Sequence, residues 1–179
     1  MSQLSDISIL EAMDHGHINI EPWQDSLLQP ASVDLTLGNS WLIPLVFTDS
    51  SVSVGKRNAA YQEIDADSVM LSPGDFILAT TAEVITIDDT IAARFEGKSS
   101  LGRIGLMTHV TAGFIDPGFS GQITLEIYNC GPLDLILETG IKIGQLMFTH
   151  LDIPTSEGYG STKWGSRYHG QRGATGAKR

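Results

Sequence analysis

The segment Glu96-Gly97-Lys98-Ser99-Ser100-Leu101-Gly102-Arg103 sets two hydroxyls and two cations within six residues. Hydroxyls, backbone N–H groups and cations can converge on an oxyanion such as phosphate, and Gly97 permits the tight turn that gathers them. It is not a Walker loop, which needs a further glycine upstream of Gly-Lys-Ser/Thr. On its own it reads equally as an ordinary surface turn. The segment from His109 to Gly121 holds three glycines and a proline within its last nine residues, the composition of a rigid, irregular loop. Asp116 in that loop could accept a hydrogen bond from a sugar hydroxyl or orient a water, or Asp116-Pro117-Gly118 could be a plain β-turn. His109, next to apolar Val110, reads as a half-buried histidine rather than a base.

In Gln122–Tyr128 the apolar residues alternate, so Ile123, Leu125 and Ile127 share one face and Thr124, Glu126 and Tyr128 the other. Glu126 therefore faces water or a site at a subunit boundary. From Tyr159 to Gly176 the chain mixes Tyr159, Arg167, Tyr168, Gln171 and Arg172 with glycines. Such side chains can stack on a base or pair with phosphate.

Other chemistries find no support. A zinc nucleoside deaminase needs His-x-Glu and Pro-Cys-x-x-Cys, and Cys130 is the one cysteine. The five histidines lack zinc-protease spacing, and neither a dinucleotide fingerprint nor a Gly-x-Ser-x-Gly elbow is present. A net charge of −10 argues against a nucleic-acid polymer as partner. The charge is uneven: Lys163, Arg167, Arg172, Lys178 and Arg179 supply five of the 11 Lys and Arg residues, and no acidic residue follows Glu157. A basic, Gly-rich tail on an acidic body could close over a small anion or be solvated. Met1–Asp6 does not open like a signal peptide, no apolar run is long enough for a membrane span, and the single cysteine rules out an internal disulfide. These features predict a cytoplasmic protein without membrane association.

The scaffold that must position these residues reads as all-β. Residues 5–15 form the one clear helical pattern, capped by Ser5 or Asp6, with Leu4, Ile7, Leu10 and Met13 recurring at threes and Gly16 ending it. Short apolar segments follow, broken by Gly, Pro, Asp or Asn: Val33–Leu37, Trp41–Phe47, Val69–Leu71, Phe76–Thr80, Val84–Ile87, Ile91–Glu96, Leu106–Val110, Ile123–Tyr128, Leu133–Leu137 and Ile141–Leu151. Many short strands at this spacing mean a sandwich, jelly roll or barrel. A chain of 179 residues suits one domain.

Taken in order, the motifs resemble the dCTP deaminase branch of the dUTPase-like superfamily. They are Gln29-Pro30-Ala31-Ser32-Val33-Asp34-Leu35, the Glu96–Arg103 segment, Thr108–Phe119, Ile123-Thr124-Leu125-Glu126, Gly140-Ile141-Lys142-Ile143-Gly144-Gln145-Leu146 and Arg167-Tyr168-His169-Gly170-Gln171-Arg172-Gly173. The resemblance implies a distorted β-barrel of jelly-roll type, as one domain over 1–179, with a helical segment at 1–20 and a flap at 158–179. It implies a homotrimer with active sites between subunits, acting on dCTP without a metal at the reacting carbon.

Carried onto this chain, the resemblance makes Glu126 the general acid/base, with Ser99 positioning water and Arg103 aligning Glu126. It assigns the triphosphate to Lys98, Ser100, Arg103, Gln145, Tyr159, Arg167 and Gln171, and counts Ser99, Leu101 and Gly102 among the substrate-binding residues. Asp116 would meet the deoxyribose 3′-hydroxyl, and the backbone of Thr124 and Leu125 the base edge. Magnesium would enter on the phosphates. Position 167 is Arg where the family pattern calls for Lys. The form Ala112-Gly113-Phe114-Ile115-Asp116 is similar to the bifunctional members, which release dUMP and diphosphate. There a small Gly113 leaves room for a second water near the α-phosphate. Feedback inhibition by dTTP is a further family expectation. A deaminase releasing dUTP, a plain dUTPase and a catalytically silent nucleotide sensor are the alternatives.

Overall fold

The structure, a computed structural model, describes residues 2–46, 51–57 and 59–178. Phe47, at the end of one expected strand, and Arg179 of the basic tail lie outside them. A short strand β1 (Ser2–Gln3) leads into helix α1 (Asp6–Asp14). The Ser5 hydroxyl accepts the Ser8 N–H at 3.4 Å, and Gly16 follows the helix at φ +77°. The inward face differs from the one expected. Ile9 and Ala12 are buried and Met13 packs on the core, whereas Ile7 is 66% exposed and Leu10 43%. A helix turns about 100° per residue, so a strict three-residue repeat drifts off one face, and the stripe that seats is spaced three and four.

Strands β2 (Ile18–Glu21), β3 (Leu28–Gln29), β4 (Ser32–Pro44), β5 (Tyr61–Asp65), β6 (Ser68–Leu71), β7 (Phe76–Ile87) and β8 (Ile91–Gly97) follow. A single-turn helix, α2 (Ser99–Gly102), precedes β9 (Leu106–Met107), β10 (Phe114–Ile115), β11 (Ser120–Asn129), β12 (Leu135–Glu138) and β13 (Lys142–His150). Among the described residues every strand pairing is antiparallel, and the main sheet runs β10-β8-β13-β4-β7-β11-β9. β12 and β6 pair separately.

Expected breaks often prove to be bulges. Val33–Leu37 and Trp41 onward are one strand, with a register shift between Leu37 and Trp41 against β7. Gly38 and Asn39 mark the irregularity, not an end. Phe76–Thr80 and Val84–Ile87 likewise join as β7. The sheet curls around one apolar core in which Trp41, Phe95 and Phe148 are fully buried. The Trp41 indole N–H donates to the Ala66 carbonyl at 3.0 Å, so its burial leaves no orphaned donor. No helix among the described residues is long and apolar enough to cross a membrane.

Candidate active site

Along β11 the alternation read from the sequence holds. Ile123, Leu125 and Ile127 are buried, while Thr124, Glu126 and Tyr128 are partly exposed. The polar face forms one side of a cleft of about 400 Å³, lined by Glu126, Thr124, Asp116, Phe114, Tyr159 and Gln171 among others. The Glu126 carboxylate accepts the backbone N–H groups of Thr111 at 3.0 Å and Val110 at 3.2 Å.

The tail walls this cleft because it is stitched to β11. Gly170 N–H donates to the Ser120 carbonyl at 2.7 Å, Gln122 N–H to the Gln171 carbonyl at 3.1 Å, and the Gln171 amide to the Gln122 carbonyl at 2.6 Å. Farther along, Gly173 N–H donates to the Gln122 side chain at 2.7 Å and Thr175 N–H to the Thr124 hydroxyl at 3.1 Å. Tyr159 lies between the rings of Phe119 and His169, at centroid distances of 5.9 and 6.4 Å. Its N–H donates to the Pro117 carbonyl at 2.6 Å. A side chain on Gly118, at φ +82°, would stand 2.7 Å from the Gly158 Cα, so glycine is what lets the Asp116 turn and the tail cross.

The phosphate-type turn builds a second cleft of about 490 Å³, lined by Gly97, Lys98, Ser99, Gly102, Thr108, His109 and Gln145 with others. Lys98 and Ser99 leave β8 where α2 begins, and Gln145 lies opposite Glu96 on β13. The Lys98 ammonium sits 2.5 Å from the Asp34 carboxylate, whose side chain is 2% exposed, and Lys142 approaches its other oxygen at 3.1 Å. Gln145 accepts the Ser32 hydroxyl at 3.2 Å.

The two clefts share no lining residue. Ser99 therefore does not join Glu126 within one chain, and Arg103, which is exposed, lines neither cleft. Ser100 and Arg167 are exposed too, Leu101 packs on the core, and the Leu125 side chain is fully buried. Between Gln122 and Tyr128 the β11 edge away from β7 has no strand partner among the described residues.

Packing within the chain gives Gly113 a reason of its own to be small. A Cβ there would lie 2.7 Å from the Phe95 carbonyl oxygen and 3.2 Å from the His109 ring. The position is closely packed against strand and ring. Three residues were given no role by the sequence reading: Asp34, Lys142 and Thr108. Thr108 is 3% exposed and its hydroxyl, like the His109 Nδ1 beside it, is buried without a hydrogen-bond partner among the described residues. Only Asp34 left a signal, as a lone carboxylate among Val33, Leu35 and Leu37.

The family model for dCTP deaminase-like proteins matches residues 3–151. The chain belongs to the dCTP deaminase-like family. Among curated proteins, it is 45% identical over 176 residues to the dUMP-forming dCTP deaminase of Nocardioides sp., covering 96% of this chain and 92% of that one. The dUMP-forming dCTP deaminase of Streptomyces coelicolor is 44% identical over 179 residues, covering 98% and 94%. The fold is also similar to that of solved structures. A 2′-deoxycytidine 5′-triphosphate deaminase from Agrobacterium tumefaciens aligns at TM-score 0.64 with 23% identity, over 82% of this chain and 47% of that one. The dUTPase of Staphylococcus aureus phage phi11 aligns at TM-score 0.50 with 13% identity, over 78% and 94%. The curled antiparallel sheet is thus the all-β, distorted-barrel architecture that this dCTP deaminase-like sequence implied.

Proposed function

We propose that this chain hydrolyses dCTP twice in one site, giving dUMP, ammonia and diphosphate. One observation carries the chemistry: Glu126 stands on the polar face of β11 inside the tail-walled cleft. The identity of 45% to dUMP-forming dCTP deaminases across nearly the whole chain supports the substrate and product.

In the deamination, Glu126 takes a proton from a water as its oxygen adds to cytosine C4. It delivers that proton to ring N3 and passes the proton of the new C4 hydroxyl to the amino group, which leaves as ammonia as the C4 carbonyl forms. Proton shuttling of this kind contributes roughly 10²–10⁴ in rate. The unpartnered edge of β11 offers backbone groups of Thr124 and Leu125 to the base. Asp116 faces the same cleft from its turn and takes the 3′-hydroxyl. In the second hydrolysis a water adds to the α-phosphorus and diphosphate departs.

The triphosphate belongs with the second cleft, where Lys98, Ser99, Gly102 and Gln145 gather, flanked by Ser100, Leu101 and Arg103. A homotrimer joins the halves, so that the phosphate cleft of one subunit faces the Glu126 cleft of the next and brings Ser99 and Arg103 to Glu126. That one chain divides the set between two clefts supports this arrangement. Residues 1–179 act as one domain. Residues 158–179 serve as the flap, presenting Tyr159, Arg167 and Gln171. Among the described residues no group of three His, Cys, Asp or Glu is placed to hold a metal, whereas the second cleft offers a cation and hydroxyls suited to phosphate. Magnesium therefore fits as a passenger on the phosphates, where it neutralises charge. The same site would take dTTP as feedback inhibitor.

The test is product analysis. Purified protein incubated with dCTP and magnesium, followed by anion exchange, should give dUMP without build-up of dUTP. A dUTP product would limit the activity to deamination, and no turnover of dCTP would overturn the proposal.

A further inference from the structure

We infer that Lys142 is a positioning residue for phosphate binding: it keeps the buried Asp34 carboxylate paired so that Lys98 can leave it for the ligand. The inference rests on the proposed phosphate role of the Lys98 cleft.

Asp34 is on β4, Lys98 follows β8, and Lys142 opens β13. The order β8-β13-β4 brings all three together. With a side chain 2% exposed, the Asp34 carboxylate needs a partner wherever Lys98 goes, because an unpaired buried charge is strongly unfavourable. Lys98 holds one carboxylate oxygen at 2.5 Å and Lys142 the other at 3.1 Å.

The cations differ in surroundings. The Lys98 side chain is 26% exposed and lines the cleft; that of Lys142 is 41% exposed, does not line it, and also donates to the Ser26 carbonyl at 2.8 Å. Lys142 is thus anchored behind the carboxylate while Lys98 stands between it and the cleft. When phosphate arrives, Lys98 can rotate its ammonium onto the anion, and Asp34 stays paired. Without Lys142 the same movement would strand the carboxylate, so Lys98 would remain on Asp34 and phosphate would bind weakly. A four-carbon stem allows such a swing, and Lys is the cation suited to it.

The test uses the full-length enzyme and two of its products as probes. Inhibition of dCTP turnover is measured with diphosphate alone and with dUMP alone. For Lys142→Met, the inhibition constant of diphosphate should rise about tenfold while that of dUMP moves less than about twofold. Lys142→Arg, which keeps the cation, should restore diphosphate binding. Adding Asp34→Asn to Lys142→Met removes the charge that traps Lys98 and should also bring diphosphate affinity back, a coupling that a double-mutant cycle reads directly. An unchanged diphosphate constant in Lys142→Met, or a parallel rise for both products, overturns the inference. Failure of the functional proposal is distinguishable, because the wild-type protein would then not turn over dCTP.

Discussion

The carboxylate of Glu126 accepts the backbone N–H of Thr111 at 3.0 Å, so the acid on β11 and the loop that carries Asp116 are one hydrogen-bonded unit. A second bond, from Val110 N–H at 3.2 Å, fixes the same oxygen. Glu126→Gln keeps the size of the side chain and an oxygen able to accept, but cannot shuttle a proton. We expect kcat for dCTP to fall about 10³-fold while dCTP binding, followed by calorimetry, changes less than about threefold. Turnover near the wild-type rate would remove Glu126 from the chemistry.

Positions 113 and 114 separate packing from product choice. Because a Cβ at Gly113 would meet the Phe95 carbonyl at 2.7 Å, Gly113→Ala should destabilise by roughly 1–3 kcal/mol. The melting temperature should drop by several degrees while dUMP remains the product. Phe114 is 55% exposed and lines the Glu126 cleft, so Phe114→Arg should fold normally. If this stretch governs the second hydrolysis, dUTP should then appear beside dUMP. An unaltered product ratio in Phe114→Arg would place the control elsewhere.

How much of this was legible in the sequence follows from what each feature depends on. Glu126 was readable because a strand alternates with period two and its neighbours Leu125 and Ile127 left no doubt about the inner face. The Ser5 cap was readable because capping is local. The joining of β4 across Gly38 was not, since only cross-strand register distinguishes a bulge from a turn. Nor was the reason for Gly113, which lies in a strand, β8, some 18 residues earlier (Phe95). The Lys98–Asp34–Lys142 cluster joins β4, β13 and the residue after β8, which are distant in sequence. Local pattern gives each residue's type but not the sheet order that makes them neighbours.

The tail should matter for affinity more than for stability of the body. It supplies Tyr159, Tyr168, Gln171, Thr175 and Ala177 to the cleft, yet among the described residues it adds only Ala174 to the buried apolar residues. Deleting residues 159–179 should raise the dCTP dissociation constant more than about tenfold, which corresponds to about 1.4 kcal/mol. The melting temperature should change little. Unchanged affinity in the truncated protein would refute the flap.

Asp88 links the turn bearing Asp116 to solution pH. Its backbone carbonyl accepts the Gly118 N–H at 2.8 Å, and its carboxylate accepts Thr90 N–H and O–H at 2.9 and 2.6 Å and contacts His17 Nδ1 at 2.6 Å. Partial burial would raise the carboxyl pKa, but the hydrogen bonds from Thr90 and His17 outweigh it and hold the group below the ordinary aspartate value. A carboxyl depressed in the folded state contributes stability above its unfolded pKa of about 3.9 and loses it as pH falls through the folded value. Asp88→Asn should therefore lower the melting temperature at pH 7, modestly because the side chain is 30% exposed. The gap from wild type should close as the pH falls from neutral into acid, below the folded carboxyl's value. Scanning calorimetry at the two pH values decides it: a gap that persists in acid would mean the loss comes from shape or neutral hydrogen bonding, not from the charge of Asp88.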